Sequence, residues 1–260
     1  MNPFYSGSAS SPGNAGGGAA VPDAWSARRS AMPQIAAPSI DPVARSAAHT
    51  PPLSHAALEG LRKRVPRPGE ASFFYFDHHF QYAAVKVLPG EYFVTDQNLM
   101  ICTVLGSCIA ACLWDRARNI GGMNHFMLPE GDVTDTSGRY GSFAMEVLIN
   151  EMIKLGARRE SMQAKIFGGG QVMASFTTMN VGERNTDFVT QYLQTERIPI
   201  VSEDVLDIYP RKVVYFPTTG KAMVKRLAHA HPEALVERER ATGSAVQLAK
   251  NSAGGSVDLF

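Results

Sequence analysis

The sequence predicts a layered α/β sandwich of mixed strands with flanking helices, built as a single domain between two disordered tails. Short apolar runs with the length of strands dominate the middle of the 260-residue chain. Helical patterns separate these runs irregularly, and a regular doubly wound parallel sheet would require strict alternation. Both ends of the chain are rich in small and polar residues and lack a sustained hydrophobic period, which indicates tails outside the core.

The composition favours a globular protein with a substantial core. Hydrophobic residues make up 45% of the chain, charged residues 19%, and the formal net charge is +1. This charge argues against nonspecific binding to nucleic acid or to an anionic membrane. The longest apolar stretch, residues 99–114, contains Gly106 and Ser107 and is shorter than the about 18 to 20 residues that span a bilayer. The start of the chain lacks a signal-peptide pattern, so we expect a cytoplasmic protein without membrane insertion.

Residues 1–70 are expected to form a disordered N-terminal tail. Gly, Ala, Ser and Pro predominate there, and such a segment cannot bury enough apolar surface to offset the entropy lost on ordering. The basic run at residues 61–68 is interpreted as a solvated linker, with contact to an acidic partner as the alternative. The folded domain is predicted at residues 71–230, and a flexible C-terminal tail at residues 231–260.

The first half of the domain is predicted to consist of strands. An aromatic cluster at residues 73–77 opens it and is expected to pack at the domain edge. Two short strands at residues 85–87 and 91–95 flank the turn Pro89-Gly90. Residues 98–105 are apolar at nearly every position, which is typical of a strand that is buried on both faces.

Two further apolar segments follow a break at Gly106 and Ser107. The run at residues 109–114 fits either a strand or the start of a buried helix, because its length does not separate the two. Residues 120–128 are interpreted as a strand that Pro129 ends.

Helices are predicted at two places in the second half. Residues 142–155 carry a broad apolar face, and Gly156 suits the C-cap of that helix. A second helix is predicted at residues 185–193, with Asn185 as its N-cap. Further strands are expected at residues 164–167, 198–204, 212–217 and 222–227, with a hairpin turn at Thr219-Gly220.

Three cysteines and one histidine lie in the centre of the predicted domain and are its candidate reactive residues. Cys102, Cys108 and Cys112 lie within eleven residues of one another, which is too local for a disulfide framework. His125 is the only histidine between residues 80 and 228. A cysteine nucleophile needs a group that takes its proton, and imidazole is the usual one. His125 is therefore the candidate base of a cysteine enzyme, and a hydrogen-bonded core histidine is the alternative.

Cys108 is the candidate nucleophile because it follows Gly106 and Ser107 at a break between apolar runs. Gly106 permits backbone angles that other residues resist. Small residues leave room for a substrate carbonyl beside backbone N–H groups that can form an oxyanion hole. Cys102 and Cys112 lie inside the apolar runs, where a free cysteine is commonly a small buried hydrophobe. The pattern alone also allows an inert turn cysteine at position 108.

Two other kinds of site stay open on pattern alone. The turn Gly168-Gly169-Gly170 could cradle a phosphate, but the spacing of known phosphate loops is absent, which favours a tight turn at the end of a strand near the site. A zinc site built from the three cysteines and His125 is conceivable, although the chain has no C-x2-C pair.

Two segments together resemble the CheD family of chemoreceptor glutamine deamidases. They are TVLGSCIA at residues 103–110 and GGMNHFMLP at residues 121–129. The resemblance covers about residues 75–227, and the two long tails depart from compact family members. Supporting segments occur in the expected order: LPGEY at 88–92, KIFGGG at 165–170, NVGERN at 180–185 and TGK at 219–221.

The resemblance implies a layered α/β sandwich related to the deamidating domain of cytotoxic necrotising factor toxins. It also implies a Cys–His–Thr site at Cys108, His125 and Thr103. The implied substrates are glutamine side chains on the helical cytoplasmic part of methyl-accepting chemotaxis receptors. No metal or organic cofactor is required, and a CheC-type phosphatase is an expected partner where the organism has one.

The expected chemistry follows from these residues. Cys108 attacks the carboxamide carbon, while N–H groups near Gly106 and Ser107 hold the oxyanion. His125 protonates the departing ammonia and then activates water, and Thr103 orients its ring. Two other classes stay open: a non-catalytic adaptor that binds receptors or a CheC-type phosphatase, and a cysteine amidase that acts on a small molecule.

Overall fold

In the computed structural model the chain forms stacked β-sheets with helices packed outside them. The structure describes residues 53–128, 135–172 and 181–227, with only the backbone of 135–139. The strands are β1 Phe73–Asp77, β2 Tyr82–Lys86, β3 Tyr92–Thr95, β4 Met100–Leu105, β5 Ile109–Asp115, β6 Ile120–Asn124, β7 Met162–Gly168, β8 Ile200–Val205, β9 Arg211–Phe216 and β10 Lys221–Arg226. The helices are α1 His55–Lys63, α2 Asp135–Lys154 and α3 Val181–Thr195, with a short 3-10 helix at Arg159–Ser161.

Each sheet has five strands and mixes parallel with antiparallel pairing. The first sheet has the order β1-β2-β4-β9-β10, and the second has the order β3-β6-β5-β7-β8. The β2–β4 and β7–β8 pairs are parallel, and the other pairs are antiparallel. Strands β4 and β5 follow each other in sequence but belong to different sheets. The three residues that join them, 106–108, therefore cross from the first sheet to the second.

The core has two layers, one between the sheets and one between the second sheet and its helices. Successive side chains of a strand point to opposite faces, so a central strand contributes to both layers. In β5, Ala110 and Cys112 join the cluster between the sheets, whereas Ala111 and Leu113 join the cluster under α2 and α3. Both faces of β5 are therefore covered, which explains why residues 109–114 form an unbroken apolar run.

The predicted layered α/β class is confirmed, and the ambiguous run at residues 109–114 is a strand that pairs with β6 and β7. The helix predicted to begin at Asn185 instead begins at Val181, so the prediction of Asn185 as an N-cap is wrong. The regular ladder of the strand predicted at residues 120–128 ends at Asn124, and Phe126 adds an isolated bridge to Ile109. Pro129 lies outside the described residues.

The predicted boundary of the N-terminal tail at residue 70 is too late. Helix α1 lies before it, capped by the Ser54 hydroxyl, which accepts from the Ala57 N–H at 3.3 Å. Its Leu58 side chain is 1% exposed and belongs to the cluster between the sheets. One buried leucine in a short helix gives too little periodicity for a sequence pattern to reveal. The rest of the predicted tails, residues 1–52 and 228–260, lies outside the described residues.

The basic run at residues 61–68 is not the solvated linker that we expected. The Arg62 guanidinium donates to the Phe74 carbonyl at 3.1 and 3.2 Å. Arg64 and Arg67 form ion pairs with Glu70, whose side chain is 1% exposed, and Arg67 also pairs with Glu151 of α2. These contacts fasten the segment before β1 to the folded domain. In the described ranges, no helix combines the length and the apolar character needed to cross a membrane.

Candidate active site

The turn between β4 and β5 is held by hydrogen bonds to each of its three carbonyls. The Gly106 carbonyl accepts from the Gly170 N–H at 2.8 Å, and the Cys108 carbonyl accepts from the Gly169 N–H at 2.8 Å. The Ser107 carbonyl accepts from the Asn185 side-chain amide of α3 at 2.8 Å. These bonds fix the orientation of the three peptide planes that begin at Gly106, Ser107 and Cys108.

This arrangement sets the direction of the backbone N–H groups that were predicted to form an oxyanion hole. A trans peptide unit places its carbonyl and its N–H on opposite sides. The Ser107 N–H therefore points away from Gly170, and the Cys108 N–H points away from Asn185. An oxyanion is stabilised best by N–H donors whose direction is fixed before the substrate arrives, because such donors need no reorganisation during the reaction.

The glycine turn after β7 packs directly against residues 106–108, named the nucleophile turn because they include the candidate nucleophile Cys108. Gly168 and Gly169 have φ values of 111° and 65°, which favour glycine. A Cβ at Gly168 would overlap the carbonyl of Cys108. The N–H groups of Gly169 and Gly170 donate to the nucleophile turn, so they do not form a phosphate cradle. The tight turn near the site, which was the favoured alternative, is the correct interpretation.

Cys108 and His125 lie on the same face of the second sheet. The pairing of Cys112 with Met123 and the bridge of Ile109 with Phe126 share one register. That register places Ala110 opposite His125 and makes Cys108 its diagonal neighbour, and diagonal cross-strand side chains lie within reach of each other. Both side chains face the first sheet, and they are 0% and 2% exposed.

The backbone of His125 is fixed on both sides by the segment that precedes β3. Its N–H donates to the Glu91 carbonyl at 2.9 Å, and its carbonyl accepts from the Gly90 N–H at 2.7 Å. The LPGEY segment thus positions the histidine, although sequence reasoning treated it only as a supporting match.

Thr103 of β4 meets His125 across the space between the sheets. The Thr103 Oγ1 lies 2.8 Å from His125 Nδ1 and donates to the Val87 carbonyl at 2.7 Å. A hydroxyl has one proton and a carbonyl can only accept, so Thr103 Oγ1 must accept from Nδ1–H. This assigns the proton of a neutral imidazole to Nδ1 and leaves Nε2 with a free lone pair.

The surroundings of His125 keep its ring neutral. Burial lowers the pKa of His125 to about 4, and a contact with the Val87 carbonyl opposes that shift only in part. At neutral pH the ring is therefore uncharged, and Nε2 can accept a proton. Among the described residues this buried nitrogen has no hydrogen-bond partner, which is the state expected of a base before its substrate binds.

The other two cysteines are placed as small buried hydrophobes. Cys102 faces the outside of the first sheet, where its thiol lies 2.9 Å from the Tyr75 hydroxyl. Cys112 lies between the sheets and is 1% exposed. Burial raises the thiol pKa of both residues, so both thiols stay protonated and are poor nucleophiles at neutral pH.

The zinc alternative does not fit this geometry. Cys102 points away from the space between the sheets, whereas Cys108, Cys112 and His125 point into it. In the parts of the chain that the structure describes, no group of three or more His, Cys, Asp or Glu side chains is arranged to hold a metal ion.

Three residues near the site were not singled out as functional from the sequence. Asn185 contacts the nucleophile turn, as described above. The partly buried Tyr140 of α2 lies close enough to Cys108 for electrostatic interaction, and burial together with that neighbour raises its pKa. The half-buried Glu91 accepts from the Leu88 N–H at 2.9 Å, and burial raises its pKa. Glu91 and Asn185 lie in motif segments, which was the available signal for them.

A family model and the curated relatives agree on one family. Residues 127–226 match the family model CheD, described as CheD chemotactic sensory transduction. A protein of Albidiferax ferrireducens named "Probable chemoreceptor glutamine deamidase CheD 1" is 68% identical over 203 residues, which cover 78% of this chain and 86% of the relative. A protein of Methylobacillus flagellatus named "Probable chemoreceptor glutamine deamidase CheD" is 52% identical over 196 residues, covering 73% of this chain and 96% of the relative.

A solved structure gives a much weaker match. The crystal structure of the Bacillus licheniformis hypothetical protein YfiH aligns with a TM-score of 0.33 and 12% identity, covering 45% of this chain and 51% of that one. The high identity of the curated relatives over most of their length is sufficient by itself to assign the family. This assignment agrees with the resemblance of the two motif segments. The chain belongs to the CheD family.

Proposed function

We propose that this protein is a protein-glutamine deamidase that converts glutamine side chains of methyl-accepting chemotaxis receptors to glutamate. The observation that carries the proposal is the chain of hydrogen bonds from the Val87 carbonyl through Thr103 to His125. Among the residues that the structure describes, it leaves His125 Nε2 without a hydrogen-bond partner, on the sheet face that also carries Cys108. A thiol and a neutral imidazole base on one sheet face are the groups that amide hydrolysis through a thioester requires.

The first step is proposed to form the thioester. His125 Nε2 takes the proton of the Cys108 thiol, and the sulfur attacks the carboxamide carbon of a receptor glutamine. The carbonyl oxygen becomes an oxyanion, which the N–H groups of the turn at Gly106 and Ser107 stabilise. The imidazolium then gives its proton to the amide nitrogen, the C–N bond breaks, and ammonia leaves.

The second step is proposed to restore the enzyme. His125 is neutral again and takes a proton from water, which attacks the thioester carbon. The C–S bond breaks, the sulfur recovers the proton, and the receptor side chain leaves as glutamate. Thr103 holds Nδ1–H throughout, so that the lone pair of Nε2 stays directed to the reacting groups. These steps use only protein groups and water.

The product has a consequence for the receptor. Each conversion replaces a neutral amide by a carboxylate, which adds negative charge and creates a methylation site on the receptor helix. In this way the enzyme regulates chemotaxis in the cytoplasm, where the receptor substrates present their helices. A CheC-type phosphatase is the proposed protein partner where the organism has one.

Mass spectrometry of a receptor fragment co-expressed with the enzyme tests the proposal. Each converted glutamine should add about one dalton, and Cys108→Ala should abolish this gain because no thioester can form. Cys112→Ala is the matched control, since it removes a neighbouring buried thiol and should keep the activity. Full deamidation by Cys108→Ala would refute the mechanism. Receptor binding without any mass gain in the wild-type protein would favour the adaptor alternative.

A further inference from the structure

Asn185 of α3 contacts both halves of the candidate site at once. Its side-chain amide donates to the Ser107 carbonyl at 2.8 Å, directly before Cys108. Its side-chain carbonyl accepts from the Leu128 N–H at 2.9 Å, three residues after His125. The residue is 0% exposed, and both of its partners are buried or partly buried.

We propose that Asn185 is a positioning residue that holds the nucleophile turn and the segment after His125 at a fixed spacing. The inference rests on the deamidase proposed above and adds to it a residue outside the Cys–His–Thr set. Asn185 acts through Ser107 and Leu128, which are neighbours of the reacting residues along the chain.

The packing of α3 explains how an asparagine on a distant helix reaches the turn. Gly182, one turn earlier on the same face, lies against the Gly169 carbonyl so closely that a Cβ there would overlap it. The Thr186 hydroxyl donates to the Gly182 carbonyl of the same helix at 2.8 Å, so its proton is used inside α3. The close approach of α3 to the glycine turn places Asn185 against the Ser107 carbonyl.

An amide side chain is required here because the two partners have opposite polarity. Ser107 presents a carbonyl, which needs a donor, and Leu128 presents an N–H, which needs an acceptor. Asparagine supplies one of each on a short side chain. An apolar residue would remove both of these hydrogen bonds, and the turn would then lose its third anchor besides Gly169 and Gly170.

The effect expected from losing Asn185 is on turnover more than on substrate affinity. Displacement of a nucleophile from its base by about 1 Å can lower the rate by about 100-fold. Asn185→Leu should therefore lower kcat for receptor deamidation by about 10- to 100-fold, with KM within about threefold of the wild-type value. Val189→Ala on the same helix is the matched control, because Val189 is also 0% exposed but lies in the core under the second sheet.

A second variant tests whether the side chain at position 185 must donate to the Ser107 carbonyl. Asn185→Asp keeps the acceptor for Leu128 but turns a carboxylate oxygen toward the Ser107 carbonyl. Burial next to that carbonyl raises the pKa of the new carboxyl group, and its protonated form can donate as the amide does. The ratio of its kcat to the wild-type kcat should therefore rise as the pH falls from about 8 to about 5.5. A purely structural role would not give this ratio its dependence on pH in protein that remains folded.

The two variants and the control are measured for kcat, KM and melting temperature, and iodoacetamide labelling of Cys108 is mapped by peptide mass spectrometry. The proposal expects slower turnover and altered Cys108 labelling in Asn185→Leu, and wild-type behaviour in Val189→Ala after correction for stability. Equal kcat in Asn185→Leu and Val189→Ala would overturn it, as would unfolding of both Asn185 variants. If the wild-type protein does not deamidate receptors, the labelling still tests Asn185 while the proposed function fails.

Discussion

At the scale of single residues, the direction of one hydrogen bond decides the tautomer of His125. Thr103 donates its only hydroxyl proton to the Val87 carbonyl, so it can serve His125 only as an acceptor. The tautomer of the imidazole is thereby set by a backbone carbonyl that belongs to neither Cys108 nor His125. A threonine in a strand is otherwise unremarkable in sequence, because β-branched residues are common there.

Replacing Thr103 by valine should separate the hydroxyl from the shape of the side chain. Thr103→Val leaves the Val87 carbonyl without this donor and the imidazole without its acceptor, so we expect turnover to fall between about 10- and 1,000-fold. Stability should fall by about 1 to 3 kcal/mol, because a buried polar group is left unpaired. Kinetics on the folded fraction and a thermal melt measure both effects.

Thr103→Ser is the matched control, because it retains the hydroxyl and loses only a methyl group. We expect it to keep most of the wild-type turnover. Equal turnover in the serine and valine variants would assign Thr103 to the packing of β4 alone.

At the scale of elements, the segment before β1 belongs to the folded domain. Leu58 of α1 enters the cluster between the sheets, and Leu53 N–H donates to the Asn98 carbonyl at 3.2 Å. Arg67 joins the segment to both Glu70 and Glu151. The short helix therefore packs against β1 as part of the domain, although its composition continues that of the predicted tail.

Two truncations should locate the true start of the domain. A chain that begins at residue 53 should keep the wild-type melting temperature, because the composition of residues 1–52 does not favour a packed core. A chain that begins at residue 69 should melt lower, since it lacks the buried leucine of α1. Leu58→Ala in the full chain should cost about 2 to 5 kcal/mol, whereas Val65→Ala, at a position 85% exposed, should cost little. Identical melting of the two truncations would refute this boundary.

At the scale of the whole molecule, the stacking of the two sheets buries the candidate site. Thr103 is contributed by the first sheet, while Cys108 and His125 are contributed by the second, and all three lie in the space between them. Burial there favours the neutral form of His125, which couples the protonation of this residue to the folding of the entire sandwich.

The stability of the protein should therefore depend on pH through His125. Its pKa is about 4 in the folded state, against an unperturbed value of 6.5. The unfolded chain thus binds the proton more readily between these values, and stability is lost as pH falls from about 6.5 towards 4. The full effect amounts to about 3 kcal/mol. Denaturant unfolding of the wild-type protein and of His125→Gln measures it.

The difference between the free energies of unfolding of the wild-type protein and of His125→Gln isolates the contribution of His125, because the other titrating groups are common to both proteins. The wild-type free energy of unfolding, relative to that of His125→Gln, should decrease as the pH is lowered through this range. A difference that stays constant with pH would show that His125 titrates in the same way in the folded and unfolded states.

Much of the fold was accessible from the sequence, as were the residues proposed for the site, and each failure has its own physical reason. The strand predicted at residues 91–95 rests on a local pattern and corresponds to β3 at Tyr92–Thr95. The helix end predicted at Gly156 also rests on a local pattern, and Gly156 has the positive φ of 105° that such an end favours. Asn185 was misread as a helix cap because the start of α3 and the partners of its side chain are not encoded by adjacent residues. Helix α1 was missed because a single buried leucine leaves almost no periodic signal.

Local patterns along the chain were enough to predict the layered α/β class, the candidate nucleophile and base, and the family resemblance, because these depend on short runs and motifs of neighbouring residues. The protonated nitrogen of His125, the two hydrogen bonds of Asn185 and the outward direction of Cys102 could be read only from the folded chain. Each of these depends on which strands pair, in which register, and on which face a side chain emerges. Such contacts join residues far apart in the chain, and folding alone brings them within the distance of a hydrogen bond.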